Sequence, residues 1–161
     1  MGLRPQDIVV ACYLASRPDR PVHAGRVWHA TLLGQTEVYA SLKRLKASRL
    51  AGASTGRVNP RNLHDFLVHG AVYQFYPELG APARGLPTAH AAPVLVEHLS
   101  SSGQALVWAD PAGEVLGTTL KPLYKTVPRP AAEIGVSTIC WPSSTPCDAV
   151  FRGSDAWPRA C

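Results

Sequence analysis

The chain has 161 residues, 46% of them apolar and 17% charged, and carries a formal net charge of +5. This composition supplies a sizeable core and excludes wholesale disorder. The sequence contains no stretch of about 18 apolar residues, so no membrane-spanning helix is predicted. The first 20 residues contain Asp7 and lack a small-residue cleavage site, which is not the pattern of a signal peptide. We therefore expect a cytoplasmic protein that does not enter membranes.

The excess positive charge belongs to the first 70 residues. That part has ten basic and four acidic residues and a net charge of +6, whereas residues 71–161 have six basic and seven acidic residues and a net charge of −1. A basic module followed by a near-neutral region indicates a polyanion-binding part joined to a part with another task. A basic surface that binds nothing is the alternative interpretation.

Three helices are predicted in the first 50 residues. Residues 5–16 have apolar side chains at helical spacing, including Cys12, and begin with Pro5, which suits a first helical position. Residues 23–31 predict a second helix with Val27, Trp28 and Leu32 facing inward. A turn at Gly34, the expected N-cap, leads to a third helix over about 35–48. The core-facing residues of the third helix are predicted to be Val38, Leu42, Leu45 and Arg49.

A short hairpin and a fourth helix are predicted next. Two apolar segments flank Ser54-Thr55-Gly56 within residues 50–58, with Arg57 beside the tip. Asn59 suits a helix N-cap and Pro60 a first helical position, and the helix is expected to stop at Gly70.

This order of elements resembles the winged helix-turn-helix regulators of bacteria, close to the MarR-type arrangement. The resemblance rests on LLGQTEVYASLKRLKASRL followed by LAGASTGRVN, within residues 1–70. It implies that the third helix (about 35–48) enters the major groove of double-stranded DNA and that the basic wing (about 50–58) reaches a phosphate or the minor groove. The expected fold class is α+β, with an N-terminal winged helix-turn-helix, a small mixed α/β region and an irregular C-terminal tail.

The DNA-binding candidates lie on the predicted third helix, the wing and the following helix. Lys43 or Arg44 can read guanine, and the basic side chains further along suit phosphate contacts. Arg49 is ambiguous, because its helical angle points toward the core. The candidate residues are Thr36, Tyr39, Ala40, Lys43, Arg44, Lys46, Arg57 and Arg61.

Residues 71–134 are expected to serve dimerisation, ligand sensing or partner binding. The pattern predicts a strand over 71–76, a loop over 77–93, a short helix over 94–100, and two strands over 105–109 and 115–119. Aromatic residues there (Tyr73, Phe75, Tyr76 and Trp108) are expected in a core rather than a pocket. The segment VHGAVYQFYPELGAPARGLPTAHAAPVL is also similar to a group of uncharacterised bacterial winged-helix proteins, a resemblance that implies no activity.

The tail, residues 135–161, is rich in Trp, Cys, Ser and Pro and has no helical or strand period. Back-translation of CWPSSTPCD and reading one nucleotide earlier allows Leu-Leu-Ala-Leu-Val-Asp-Ala-Leu-Arg, an amphipathic helix without Pro or a stop codon. We interpret the tail as the product of a shifted reading frame, the alternative being a genuine divergent tail. Sequencing the gene decides between them.

No enzymatic motif or cofactor site is predicted. GxSxG, P-loop, HExxH and GxGxxG patterns are absent, Cys140, Cys147 and Cys161 have no zinc-ligand spacing, and His90 in its loop fits a structural role better than a catalytic or metal-binding one. We therefore expect a nucleoid-associated transcriptional regulator that pairs two recognition helices in a homodimer. The alternatives are a protein-interaction adaptor, such as the antitoxin-like partner of a neighbouring gene product, and a thiol or metal sensor that uses the late cysteines.

Overall fold

The computed structural model describes residues 2–93 and 103–125 as a mixed α+β structure. These residues belong to two compact units, the first ending at Phe66 and the second beginning at Leu67. Within the described ranges, no helix has the length and apolar character that crossing a membrane requires. The predicted helix over 94–100, the late cysteines and the tail over 135–161 lie outside the described residues.

The first unit is built on three mutually packed helices, α1 (Pro5–Ala15), α2 (Ala24–Thr31) and α3 (Gln35–Ala47). They confirm the first three predicted helices to within a residue or two. Each helix turns its apolar stripe toward the other two, because that arrangement removes the most apolar area from water. Cys12, expected in the core, is half-buried. The largest fully buried apolar side chains of this unit are Ile8, Val10, Val27, Val38, Leu45 and Leu63.

The turn between α2 and α3 differs from the prediction at one side chain. Leu32 adopts the left-handed conformation, with φ of 55°, and its side chain is 51% exposed rather than directed inward. The reversal of the backbone at Leu32 sends the next residue, Leu33, into the core, where it is 6% exposed. Gly34 then forms the N-cap of α3, as expected.

Residues 50–59 form a hairpin turn closed by one antiparallel bridge, Ala51 to Val58, instead of two full strands. The Gly52 N–H donates to the Arg57 carbonyl at 2.8 Å, and the Gly56 N–H donates to the Gly52 carbonyl at 2.9 Å. Gly56 has φ of 65°, a conformation that glycine adopts at little cost. The Asn59 N–H donates to the Leu50 carbonyl at 2.8 Å and closes the base of the turn.

Helical structure continues beyond the predicted stop at Gly70. Helix α4 (Pro60–Asp65) begins at the predicted Asn59 cap, whose side chain accepts the Asn62 N–H. A π-helical turn (Phe66–Gly70) and a short helix, α5 (Ala71–Gln74), follow. The predicted strand over 71–76 is therefore wrong, because Gly70 stays in the right-handed helical region, with φ of −106° and ψ of −37°. Six alternating residues are too few to separate a strand from a helix end.

The second unit holds a closed barrel of three strands, β1 (Leu79–Thr88), β2 (Leu106–Ala109) and β3 (Val115–Leu120). The predicted strands at β2 and β3 are confirmed. They do not pair as a hairpin, because each is antiparallel to β1, and they meet in parallel only at Leu106–Thr118 and Val107–Thr119. The turn between them is closed by the Gly113 N–H, which donates to the Asp110 carbonyl at 2.9 Å.

Strand β1 replaces the predicted loop over 77–93. The first half of β1 pairs with β3 and the second half with β2, and only Gly85 pairs with both. Most of β1 therefore has a neighbour on one side, and a proline whose nitrogen points to the other side loses no ladder hydrogen bond. Gly85 permits the crossing, because a Cβ there would overlap the Trp108 carbonyl oxygen. Pro82 and Pro87 are thus compatible with a strand, although the local sequence predicts a loop.

Candidate nucleic-acid interface

Helix α3 has one buried face and one exposed face, and most of its predicted DNA-binding residues lie on the exposed one. Its packing against α1 and α2 buries Val38, Ser41 and Leu45. Ala40 is half-buried. The exposed side chains of α3 are Gln35, Thr36, Tyr39, Lys43, Lys46 and Ala47.

Arg44 is buried, so its predicted position among the exposed, DNA-facing residues of α3 is wrong. Its side chain is 6% exposed and is paired with Asp7 of α1, which is fully buried. Arg44 Nε donates to Asp7 Oδ2 at 2.7 Å, and Arg44 Nη2 donates to Asp7 Oδ1 at 2.6 Å. The hydrogen bonds to Asp7 raise the pKa of Arg44, so the guanidinium stays charged inside the unit. Because the guanidinium is buried in this bidentate ion pair, it is not accessible to a base or a phosphate.

Further hydrogen bonds hold both partners of the ion pair in place, and one more contact joins α1 to α3. Asp7 Oδ2 also accepts the backbone N–H of Arg4, at 2.8 Å, and Ser41 Oγ lies 3.3 Å from Arg44 Nη2. Beside Asp7 on α1, Gln6 Nε2 donates to Oε1 of Glu37, two turns before Arg44 on α3, at 2.6 Å. These polar contacts fix the rotation of α3 about its own axis. The available sequence signal was Asp7 itself, a carboxylate beside the buried stripe of α1, which requires a cationic partner.

The C-terminal part of α3 lies against the hairpin turn. Lys46 Cε and Nζ are 3.5 Å and 3.9 Å from the position that a Cβ would occupy at Gly56. Arg57, the next residue, is exposed, and its N–H donates to Thr55 Oγ1 at 3.2 Å. The cations of α3 and of the hairpin turn therefore belong to one continuous surface.

Two further arginines are exposed beside this surface. Arg49, which was ambiguous in the sequence, follows the C-cap of α3 with φ of 60°, and its side chain is exposed to solvent. Its carbonyl accepts Asn62 Nδ2 of α4 at 2.8 Å, which ties the end of α3 to the start of α4. Arg61 is exposed in the first turn of α4. We call the exposed residues of α3, the hairpin turn and these two arginines the basic face; its five cations are Lys43, Lys46, Arg49, Arg57 and Arg61.

The second unit has a different character. Trp108 is 4% exposed, as expected of a core residue, whereas Tyr73 and Tyr76 are 88% and 71% exposed. His90 lies in a 3₁₀ turn (Ala89–Ala91) instead of a loop. Among the described residues, neither His90 Nε2 nor Trp108 Nε1 has a hydrogen-bond partner, although both atoms are buried. In the described part of this unit the lysines and arginines are Arg84, Lys121 and Lys125, and Lys121 is paired with Glu78.

Comparison of the chain with models of protein families, with curated proteins and with solved structures found no match.

Proposed function

We propose that the first unit is a winged helix-turn-helix that binds double-stranded DNA and that the protein regulates transcription. Helix α3 is the recognition helix and the hairpin turn is a reduced wing. The observation that carries this proposal is the proximity of the Lys46 side chain to Gly56, which brings the exposed cations of α3 close to Arg57 of the hairpin turn.

The electrostatics of the basic face suit a phosphate backbone. Its five cations are exposed, so they can replace condensed counterions on DNA. The acidic residues nearest in α1 and α3 are already engaged: Asp7 is bonded to Arg44 and Glu37 to Gln6. The charge of Asp7 is neutralised inside the unit by Arg44, whereas the five cations of the basic face are exposed, and this distribution attracts a polyanion.

The dimensions of α3 also suit a major groove. Its 13 residues give a length of about 20 Å, and the groove admits one helix of this diameter. In this class of binding, the N-terminal part of the recognition helix faces base edges. The C-terminal part, with Lys46 and the hairpin turn, then meets the phosphate backbone.

A second copy of the chain is part of the proposal. One short recognition helix contacts few base pairs, and a homodimer that presents two of them gains specificity through paired half-sites. Sedimentation of the full chain with and without duplex DNA tests this part separately.

The central test is the salt dependence of DNA binding. Fluorescence anisotropy of a labelled duplex of the gene's own promoter is measured from about 50 to about 200 mM salt. We expect the affinity to fall steeply with salt, and Lys43→Ala or Arg57→Ala to weaken binding and to lower the slope of log affinity against log salt by about one.

Matched variants in the second unit control for loss of net charge. Lys125→Ala and Arg84→Ala remove the same charges from exposed positions outside the basic face and are expected to leave the slope nearly unchanged. No binding at the lowest salt, or equal losses in the test and control variants, contradicts the proposal.

A further inference from the structure

We infer that α3 recognises A·T base pairs, and that it does so chiefly through the methyl groups of thymine. This inference rests on the proposed DNA binding and adds the class of sequence that the basic face prefers. It follows from which side chains of α3 the tertiary structure leaves exposed and which it removes.

The structure removes the two residues of α3 best suited to a G·C pair. Arginine is the commonest reader of guanine, but Arg44 is buried against Asp7. A carboxylate is the usual acceptor for the cytosine amino group, but Glu37, the acidic residue of α3, is half-buried and bonded to Gln6 at 2.6 Å. The base-facing part of α3 therefore lacks the standard side chains for G·C recognition.

The side chains that remain there fit an A·T pair. Thr36 carries an exposed methyl group, Ala40 a half-buried one, and Tyr39 is a 56% exposed aromatic ring between them. At 100° per residue these three project within about 100° of one another. Small apolar groups of this kind contact the C5-methyl group of thymine. Gln35, exposed in the first turn of α3, can form two hydrogen bonds with adenine.

Lys43 is the remaining side chain of α3 that can reach guanine. It lies two helical turns, about 10.5 Å, beyond Thr36 and within one turn of Lys46, whose side chain lies close to Gly56 of the hairpin turn. This position places Lys43 with the phosphate-facing part of α3. We therefore assign it to the DNA backbone.

The experiment compares two pools of random-sequence duplexes that differ only in thymine. One pool contains thymine and the other contains uracil throughout, which removes the C5-methyl group and leaves base pairing intact. Affinity of the full chain is measured by anisotropy for both pools, and the thymine pool is also enriched over several rounds and sequenced. We expect A·T-rich enrichment. On the best enriched site, we expect replacement of thymine by uracil to lower the affinity about fourfold for each contacted methyl group. This factor corresponds to about 0.8 kcal/mol of binding free energy.

Thr36→Ser connects the methyl effect to one side chain. It deletes the threonine methyl group and keeps the hydroxyl, so it should reduce affinity for the thymine site and leave affinity for the uracil site unchanged. Thr118→Ser, in β3, makes the same chemical change in the second unit and should affect neither.

The outcomes separate this inference from the proposed function. Salt-dependent binding with equal affinity for thymine and uracil, or enrichment of G·C-rich sites that is lost in Lys43→Ala, overturns the inference and leaves DNA binding intact. Absence of binding to either pool at low salt overturns both.

Discussion

Arg44 of α3 and Asp7 of α1 form a bidentate ion pair with N···O distances of 2.6 Å and 2.7 Å, and both side chains are almost fully shielded from solvent. The two residues are 37 positions apart in the sequence, and their pair joins α1 to α3. Because of this pair, Arg44 has a structural role, although its sequence position suggests a DNA contact. The pair also determines which face of α3 is left for a partner.

Breaking this pair should strongly destabilise the first unit. Asp7→Asn leaves the Arg44 charge buried without its counter-charge, and we expect the free energy of unfolding to fall by about 3 kcal/mol or more. Urea unfolding followed by circular dichroism measures the loss.

The control for this prediction replaces both partners. In Asp7→Leu/Arg44→Met neither charge is buried, so most of the stability should return. The double variant should also keep the salt dependence of DNA binding, because Arg44 makes no phosphate contact. A stability unchanged in Asp7→Asn, or a lower salt slope in the double variant, contradicts this account.

The Leu32→Gly substitution should stabilise the protein. Leu32 has φ of 55° and a largely exposed side chain, so leucine has a conformational cost there of about 1–2 kcal/mol and contributes little burial. Glycine removes that cost, although the greater freedom of the unfolded chain offsets part of the gain, and we expect a net increase of about 0.5–1 kcal/mol in unfolding free energy.

Leu33→Gly is the matched comparison, because it makes the same substitution one residue later. Leu33 is 6% exposed, and its removal should cost about 3 kcal/mol. If the two variants shift the urea midpoint in the same direction, the assigned turn geometry is incorrect.

The Gly85→Ala substitution should disrupt the barrel of the second unit. A Cβ at Gly85 overlaps backbone atoms of Trp108, and backbone cannot move aside as a flexible side chain does. We expect loss of slow amide exchange in β1 and β2, measured by hydrogen exchange, with α1 and α3 unaffected. Gly103→Ala, where a Cβ meets open space, should retain the wild-type pattern.

The ion pair between Lys121 and Glu78 should give the stability a specific alkaline pH dependence. The 2.9 Å hydrogen bond to Glu78 raises the pKa of Lys121 above its ordinary value of 10.5. Because the pKa is higher in the folded state, the contribution of the pair is complete below about pH 10.5 and is lost as the pH rises through the folded-state pKa.

Lys121→Met should therefore lower the melting temperature slightly near pH 8, and its difference from wild type should narrow as the pH rises through the raised folded-state pKa of Lys121. Thermal unfolding over this range, with Lys125→Met as the control, measures the effect. A difference that stays constant to high pH rules out the pair as its source.

Local patterns determined much of the first unit. The apolar stripes of α1 and α3, the Gly34 cap and the Asn59-Pro60 helix start are signals that operate within a few residues, and the structure has each of them. The same holds for β2, β3 and their Asp110–Gly113 turn, since turn chemistry is also local.

Long-range contacts decided the rest. The strand β1 has a proline-rich sequence typical of a loop, and it is a strand because β2 and β3 pair with opposite halves of it. Arg44 has the helical position of a surface residue, and it is buried because Asp7 lies opposite it on another helix. The sequence by itself determined that the first 70 residues carry the positive charge. Only the tertiary structure decided which charges are exposed, because burying a charge requires a partner that lies far away along the chain.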